Sequence, residues 1–242
     1  LLKRRERFNM IVLIIILATV LTFATWMYLS KPLLRYVLGT LSLFVLGSSI
    51  YLLTDHFVNH RGMEVKTTVL TKQIYSSGDT SQPFGIMIAK EIGTKSGRYV
   101  MIYRDKEGAD PTAHFVPNKK KMTETVKKSS SYKLVDTDKA SVSIKTKRYV
   151  WKNHFYELLF NVGGENNELV SQEVNVLVPK ETWMVLSPKE AKSLKLALPK
   201  LKEASAKNPE TAKMMANLIR NNPKEAAKLQ IKAIQALLKE SK

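Results

Sequence analysis

The feature that most constrains this chain is a pair of long apolar runs near its beginning. The first covers residues 10–29 and the second residues 36–54, and neither run contains Asp, Glu, Lys or Arg. A helix of about 20 residues rising ~1.5 Å per residue spans ~30 Å, the thickness of a bilayer's hydrocarbon core. The linker between the runs is too short for a domain, so the sequence predicts a transmembrane helical hairpin over residues 10–54.

Residues at the ends of these runs are predicted to lie at the membrane interface. Aromatic rings with a polar group favour that region, whereas Lys and Arg favour water. The predicted interface residues are Trp26, Tyr28, Lys31, Arg35, Tyr36 and Tyr51. Small residues could let the two helices pack closely: Ala18, Thr22 and Thr25 on the first, with Gly39, Ser42 and Gly47 on the second. The first run is longer than the core of a signal peptide, so we expect a retained anchor.

The orientation depends on the basic residues before Met10. If residues 1–9 are a genuine basic N-terminus, the positive-inside rule places them and the soluble region in the cytoplasm. We interpret them instead as translated leader sequence. Residues 3–6 can be encoded by AAA-AGG-AGA-GAA, which contains a purine-rich ribosome-binding sequence just upstream of Met10. With a start at Met10, Lys31 and Arg35 become the strongest inside signal, and the soluble region is predicted to be extracytoplasmic.

The composition changes after the second run, and residues 63–186 are predicted to form a small, mostly antiparallel β-domain. Alternating or β-branched segments between turn residues predict strands over residues 65–75, 85–92, 98–104, 141–151, 170–178 and 182–186. A sandwich and a partly open barrel both fit this pattern. Residues 119–131 are rich in Lys and Ser, which predicts an exposed loop or a charged edge strand. The expected fold class is therefore a membrane α-hairpin plus α+β.

The last segment, residues 187–242, is predicted to be a basic helical tail. Ser187, Asn208 and Asn222 each precede a proline and a glutamate in the pattern of a helix start. Pro199 is expected to kink or split the first of these helices. The last helix carries an apolar stripe of Ala227, Ile231, Ile234 and Leu238. Such a stripe packs on its own domain or lies on an anionic membrane.

The net charge indicates which partners the protein could bind, and the cysteine content excludes several kinds of site. The net charge is +18, which predicts attraction to anionic lipid headgroups, envelope polymers or nucleic acid, although it is also compatible with a merely soluble basic surface. No nucleic-acid-binding module is recognisable, so nucleic acid is not a predicted partner. The chain has no cysteine, which excludes disulfides, thiolate zinc sites and cysteine nucleophiles.

The sequence carries little sign of catalytic chemistry. His56 and His60 are four residues apart and could share a metal on a continuing helix, but the glutamate of a zincin motif is missing, and interfacial histidines are the alternative. No nucleophile elbow or phosphate-binding loop is present. We therefore predict no catalytic residue and no cofactor. If the protein were an enzyme, the side chains expected to converge in a cleft would be His114, His154, Glu157 and Asp105.

Several stretches together resemble an uncharacterised domain-of-unknown-function family of small two-helix membrane proteins from Gram-positive bacteria. The stretches are residues 35–39, 60–63, 64–68, 151–160 and 182–187. The resemblance covers residues 10–194 and leaves out the rest of the tail. It implies two N-terminal helices before a β-rich region, supplies no activity, and suggests an accessory role beside an exporter.

These observations predict a non-enzymatic, membrane-anchored protein of the bacterial plasma membrane. Its expected partners are membrane lipids, a membrane protein such as a transporter, and an anionic envelope polymer. Two alternatives remain at this point: an envelope enzyme with unrecognised motifs, and a structural or regulatory membrane protein whose basic tail docks on lipid.

Overall fold

The computed structural model describes residues 10–118, 120–206 and 209–240. The predicted leader, Lys119 and the Asn208 cap lie outside these ranges. The elements are, in order, α1 (Met10–Tyr28), α2 (Pro32–Asn59), β1 (Met63–Gln73), β2 (Gly85–Glu91), β3 (Tyr99–Tyr103), β4 (Thr112–His114), α3 (Met122–Val126), β5 (Lys128–Val135), β6 (Ser141–Trp151), α4 (His154–Phe160), β7 (Leu169–Pro179), β8 (Trp183–Leu186), α5 (Pro188–Ala206), α6 (Pro209–Asn221) and α7 (Pro223–Glu240).

The chain divides into two compact units. The first comprises the residues up to Thr67 together with Lys147–Val170, and the second comprises Thr68–Thr146 and Ser171–Lys242. The first unit therefore contains α1, α2 and α4. The second contains the four short strands β2, β3, β4 and β8 and the helical tail. The strands β1, β6 and β7 each contribute residues to both units.

The helical hairpin of the first unit is longer than the apolar pattern predicted. α2 begins at Pro32 and ends at Asn59, whereas the prediction covered residues 36–54. Pro32 is tolerated there because the first helical residue needs no backbone N–H for the helix ladder. Both helices are long and apolar enough to cross a membrane, as judged by length and composition alone.

Small residues bring α1 and α2 together, but only at some of the predicted positions. The Thr22 hydroxyl donates a hydrogen bond to the Ser42 hydroxyl at 3.0 Å. Gly39 faces the indole of Trp26, and a Cβ at position 39 would lie 2.6 Å from Trp26 Nε1. A Cβ at Gly47, by contrast, would meet nothing within 4 Å. Gly47 therefore lies on an open face of α2.

The strands form two four-stranded mixed sheets, with the orders β1-β6-β7-β5 and β4-β3-β2-β8. β2 pairs antiparallel with β3, as the predicted hairpin requires, and parallel with β8. β5 pairs parallel with β7 and lies at one end of its sheet. The described residues of the segment 119–131, which are 120–131, thus form α3 and the start of an edge strand. This agrees with the edge-strand alternative.

The core of the second unit lies between residues from both sheets. Its most buried members include Met87 and Met101 from one sheet and Val174, Val176 and Val178 from the other. Inward and outward residues alternate along β7, because successive side chains of a strand point to opposite faces. Two separate sheets around one core correspond to the sandwich alternative.

The helical tail closes a second apolar cluster of the same unit. Ala227, Ile231 and Ile234 of α7 pack with residues of β8 and with Phe84. The Ser187–Glu190 capping box is present, since each residue's side chain binds the other's backbone N–H. α5 runs without a break from Pro188 to Ala206, so the predicted split at Pro199 is wrong, while the alternative kink stays a prediction.

Candidate functional site

The most unusual group of side chains in the first unit surrounds His56, in the last turn of α2. The His56 side chain is 1% exposed, although imidazoles usually keep some contact with water. Its ring is stacked between two aromatic rings. The centroid of Phe160 lies 4.9 Å away at an interplanar angle of 6°, and that of Trp151 lies 5.3 Å away at 20°. We call His56, Trp151, Phe160 and Glu165 the histidine centre.

The two nitrogens of His56 have different surroundings. Nδ1 lies 2.7 Å from the Arg61 carbonyl oxygen. Because a carbonyl oxygen only accepts hydrogen bonds, Nδ1 carries the hydrogen, and Nε2 of the neutral ring is left with a lone pair. Nε2 lies 3.9 Å from Glu165 Oε2, too far for a direct hydrogen bond.

Two further polar atoms of the histidine centre are buried without a hydrogen-bond partner. They are Glu165 Oε2 and Trp151 Nε1. Burying a polar atom without a partner costs about 1–3 kcal/mol, so folded proteins seldom retain such atoms. The histidine centre therefore places the buried imidazole of His56 beside a carboxylate oxygen of Glu165 that has no hydrogen-bond partner.

The turn after α2 fixes the position of the histidine centre. His60 ends the helix in the left-handed conformation with φ 51°, and Gly62 has φ 84°. A Cβ at Gly62 would lie 2.7 Å from the Tyr156 ring, so only glycine fits between the turn and α4. The Arg61 guanidinium binds the Asp55 carboxylate, and Asn59 donates to the same carboxylate at 2.6 Å. These contacts hold the Arg61 carbonyl towards His56.

α4 supplies one wall of the centre and was not predicted as a helix. Asn153 caps it, with its side-chain oxygen accepting from the Tyr156 N–H at 3.1 Å. The cap residue before an apolar segment is the signal that could have identified this helix. Glu165 was not predicted as a site residue either. Its carboxylate folds back over Gly163, where a side chain would collide with it.

His56 and His60 do not lie on one helical face, since the helix ends between them. The His60 ring stacks on Tyr149 at a centroid distance of 3.9 Å, while His56 faces Trp151 and Phe160. Within the described residues no group of three or more His, Cys, Asp or Glu is placed to hold a metal ion. The metal hypothesis for the two histidines stays a prediction from the sequence.

The four residues named for an enzyme alternative form two separate pairs. In the second unit, His114 Nε2 lies 3.7 Å from Asp105 Oδ2, and its ring stacks on Tyr103 at 3.9 Å. Burial, assisted by the Asp105 charge, raises the pKa of Tyr103. In the first unit, His154 Nδ1 lies 3.5 Å from Glu157 Oε2. Each unit therefore contains one histidine–carboxylate pair from these four residues.

Most of the predicted interface residues lie around the turn of the hairpin. Trp26 and Tyr36 pack edge to face with centroids 5.8 Å apart, and the Arg35 guanidinium lies 6.0 Å from the Tyr36 ring centroid. Lys31 is the residue before α2, and Tyr28 ends α1 with an exposed ring. Tyr51 is exposed on α2 towards the other end of the hairpin.

Comparison with known proteins places the chain in a family. It matches the family described as Domain of unknown function (DUF4811) over residues 31–194. The chain belongs to this family. The expected membership of an uncharacterised family is thus confirmed. The match ends at residue 194, as the resemblance did. It begins next to α2, at residue 31, and not at Met10. All four residues of the histidine centre lie inside the matched segment. Neither the curated proteins nor the solved structures gave a match.

Proposed function

We propose that this protein is a non-enzymatic accessory protein, anchored in the plasma membrane of a Gram-positive bacterium by α1 and α2. Its proposed partner is an integral membrane protein such as a transporter. The observation that carries the proposal is an open apolar groove on α2, which we call the α2 groove. Its lining residues are Leu43, Phe44, Gly47, Ser48, Tyr51 and Leu52.

The α2 groove has the character of a surface that receives another helix. Phe44 and Tyr51 lie on the same helical face as Gly47, one turn before and one turn after it. Both rings are exposed, and the space above Gly47 is empty. In a membrane, helices associate through close van der Waals packing at small residues, because lipid tails offer no hydrophobic driving force. The side of α2 that contacts α1, at Gly39 and Ser42, is a different face.

We place the second unit outside the cell, facing the anionic polymers of the envelope. The proposal rests on Lys31 and Arg35 in the hairpin turn, which favour a cytoplasmic turn when translation starts at Met10. Residues 1–9 carry a net charge of +3, so the chain from Met10 carries +15, which would then attract the protein to lipid headgroups and to wall polymers. A cytoplasmic second unit is the alternative if residues 1–9 belong to the protein.

The two other functional readings have less support. For an envelope enzyme, three of the four histidines each lie near one carboxylate: His56 near Glu165, His114 near Asp105, and His154 near Glu157. For a lipid-docking tail, the apolar stripe of α7 is not available to lipid, because Ala227, Ile231 and Ile234 are buried in the second unit. Lipid docking would require α7 to leave that cluster.

Photocrosslinking in native membranes tests the partner. We would replace Phe44 with the photoreactive residue benzoylphenylalanine and irradiate intact cells. Phe44 is 72% exposed, so the probe enters the α2 groove without displacing packed residues. We expect one protein adduct of discrete mass. Adding Gly47→Leu, which fills the groove, should remove that adduct.

The matched control carries the same probe at Val20 of α1, which is 59% exposed and also apolar. A probe that meets only lipid should give no discrete protein adduct at this position. The same adduct from Phe44 and Val20, or no protein adduct from Phe44, would contradict the proposed partner surface.

A further inference from the structure

The second unit contains a small cavity that none of the contacts described above uses. It has a volume of about 220 Å³ and lies beside the edge strand β5. The start of β5 forms one wall, β7 forms the floor, and the loop after β4 forms the opposite wall. Cavities for drug-sized ligands begin at about 300 Å³, so this one would fit a smaller molecule.

The interior of the cavity is largely apolar. The apolar lining consists of Ile92, Phe115, Val116, Pro117 and Val174. Phe115 has φ 62°, in the left-handed region that aromatic residues rarely adopt. Such backbone strain persists only where the surrounding structure imposes it, and it is concentrated at binding sites. The strained position of Phe115 forms part of the wall.

Among the described residues, cations and no carboxylates line the same cavity. Arg98 and Lys128 are among its lining residues, and none of those residues is Asp or Glu. The carboxylate paired with Lys128 is Glu124, at 3.6 Å, longer than a normal hydrogen bond. Within the described part of the chain, Arg98 makes no ion pair with a carboxylate. Glu124 therefore partly neutralises Lys128, whereas the charge of Arg98 is not compensated by an ion pair among the described residues.

The polar groups deeper in the cavity are held by the protein itself. The Ser130 hydroxyl donates to the Tyr99 carbonyl oxygen at 2.6 Å. The Gln172 amide donates to the Thr146 hydroxyl at 3.2 Å. Ser130 and Gln172 are thereby bound to the protein itself, and Arg98 and Lys128 are the positively charged donors of the lining.

We propose that this cavity binds a small amphipathic carboxylate, with its apolar ring or short chain beside Phe115 and Val174 and its carboxylate at Arg98 and Lys128. The planar guanidinium of arginine matches a carboxylate through two parallel hydrogen bonds. Inorganic phosphate has no apolar part to fill the interior. The site is independent of the α2 groove and of the partner proposed for it.

Ligand-observed fluorine NMR on the full chain in lipid nanodiscs tests this site. The probes are 4-fluorobenzoate, the neutral 4-fluorobenzyl alcohol and the cationic 4-fluorobenzylamine, which share one ring and differ in charge. Spectra with empty nanodiscs correct for partition into lipid. We expect saturable binding of the benzoate, with the alcohol about tenfold weaker and no saturable binding of the amine. Inorganic phosphate should not displace the benzoate at equal concentration.

Charge variants locate the bound probe. Arg98→Gln and Lys128→Gln change exposed side chains, so both proteins should fold. Each is expected to weaken benzoate binding about three- to tenfold, as for a partly solvated ion pair. Lys72→Gln, at an exposed lysine on β1, is the matched control and should leave the affinity unchanged. Equal binding of benzoate and alcohol, equal loss in all three variants, or no saturable binding would overturn the proposal.

Discussion

At the scale of single residues, two glycines of α2 have opposite surroundings. Gly39 lies against the Trp26 indole, where a Cβ would come within 2.6 Å of one ring atom and 2.8 Å of another. A Cβ at Gly47, by contrast, would have no other atom within 4 Å. Since glycine lowers helix stability by about 1 kcal/mol relative to alanine, Gly39 is useful only because the neighbouring helix needs its space.

We therefore expect Gly39→Leu to weaken the packing of α1 on α2, while Gly47→Leu leaves it intact. The leucine at position 39 must displace Trp26 and its edge-to-face contact with Tyr36. Thermal unfolding in nanodiscs, together with the tryptophan emission spectrum, measures both effects. A lower unfolding midpoint in Gly47→Leu than in Gly39→Leu would contradict this packing.

His56 is the second residue whose surroundings allow a sharp prediction. His56→Ala removes a ring stacked on both sides and leaves the Arg61 carbonyl without its donor. The expected loss of unfolding free energy is about 2–4 kcal/mol. His154→Ala is the matched control, since that side chain is 84% exposed, and a change within about 0.5 kcal/mol is expected.

Chemical denaturation of both variants in nanodiscs measures the difference. Similar stabilities for His56→Ala and His154→Ala would mean that the stacking and the Arg61 contact contribute little. His56→Phe keeps a ring of similar size and loses only the hydrogen bond, so its stability should lie between those of wild type and His56→Ala.

At the scale of elements, α7 is held by burial and by charge. Its apolar stripe packs in the second cluster of the second unit, while Lys224 and Lys228 reach the Glu181 carboxylate at 3.5 and 3.1 Å. Lys224 also lies 3.5 Å from Asp138. The hydrogen bond from Lys228, with the nearby charges of both lysines, holds the pKa of Glu181 below its usual range. The ionised Glu181 carboxylate therefore stabilises the packing of α7 on the rest of the second unit.

This lowered pKa gives a pH dependence with a defined sign. A carboxyl whose folded pKa lies below its unfolded value, about 4.3 for Glu, stabilises the fold above that value. The contribution disappears as the pH falls through the lower, folded pKa. In hydrogen exchange, α7 amides should exchange faster in Glu181→Gln than in wild type at pH 7, and the ratio of rates should approach one at acid pH.

Glu173→Gln, at an exposed carboxylate on β7, is the control for this experiment. It should leave the exchange of α7 unchanged at every pH. A ratio for Glu181→Gln that stays constant as the pH falls would show that its effect does not arise from the ionised carboxylate.

At the scale of the whole molecule, the proposed membrane anchor predicts that the second unit lies outside the cell. The chain has no cysteine, so single introduced cysteines report accessibility without a background. Ser30, in the hairpin turn, is exposed and suits such a label. Ser77 is half-buried, and its hydroxyl donates to the Ile86 carbonyl oxygen. Ser81 is exposed and therefore serves better in the second unit.

With the second unit outside, an impermeant maleimide should label Ser81→Cys and not Ser30→Cys in intact cells. Permeabilised cells should give labelling at both positions, which controls for reactivity. Labelling of Ser30→Cys alone in intact cells would place the second unit in the cytoplasm and favour a genuine basic N-terminus.

The sequence by itself determined the local features of this protein. Charge-free runs of about 20 residues located the two helices of the hairpin, because a helix makes all its backbone hydrogen bonds within one continuous segment. Strict alternation located β6 and β7, and side-chain caps located the starts of α5 and α7, because these signals lie within a few neighbouring residues. The split expected at Pro199 is wrong, since α5 continues through that position, and the alternative kink stays a prediction.

Only the tertiary structure decided the features that join distant parts of the chain. The histidine centre combines α2, the end of β6, α4 and the turn that carries Glu165, and no local spacing connects them. The cavity beside β5 likewise combines a hairpin turn, a loop and two parallel strands. β2 pairs parallel with β8, and β5 pairs parallel with β7. Parallel strands are joined by long connections, so neighbouring residues do not determine which strands pair. Burial of the whole core determines it.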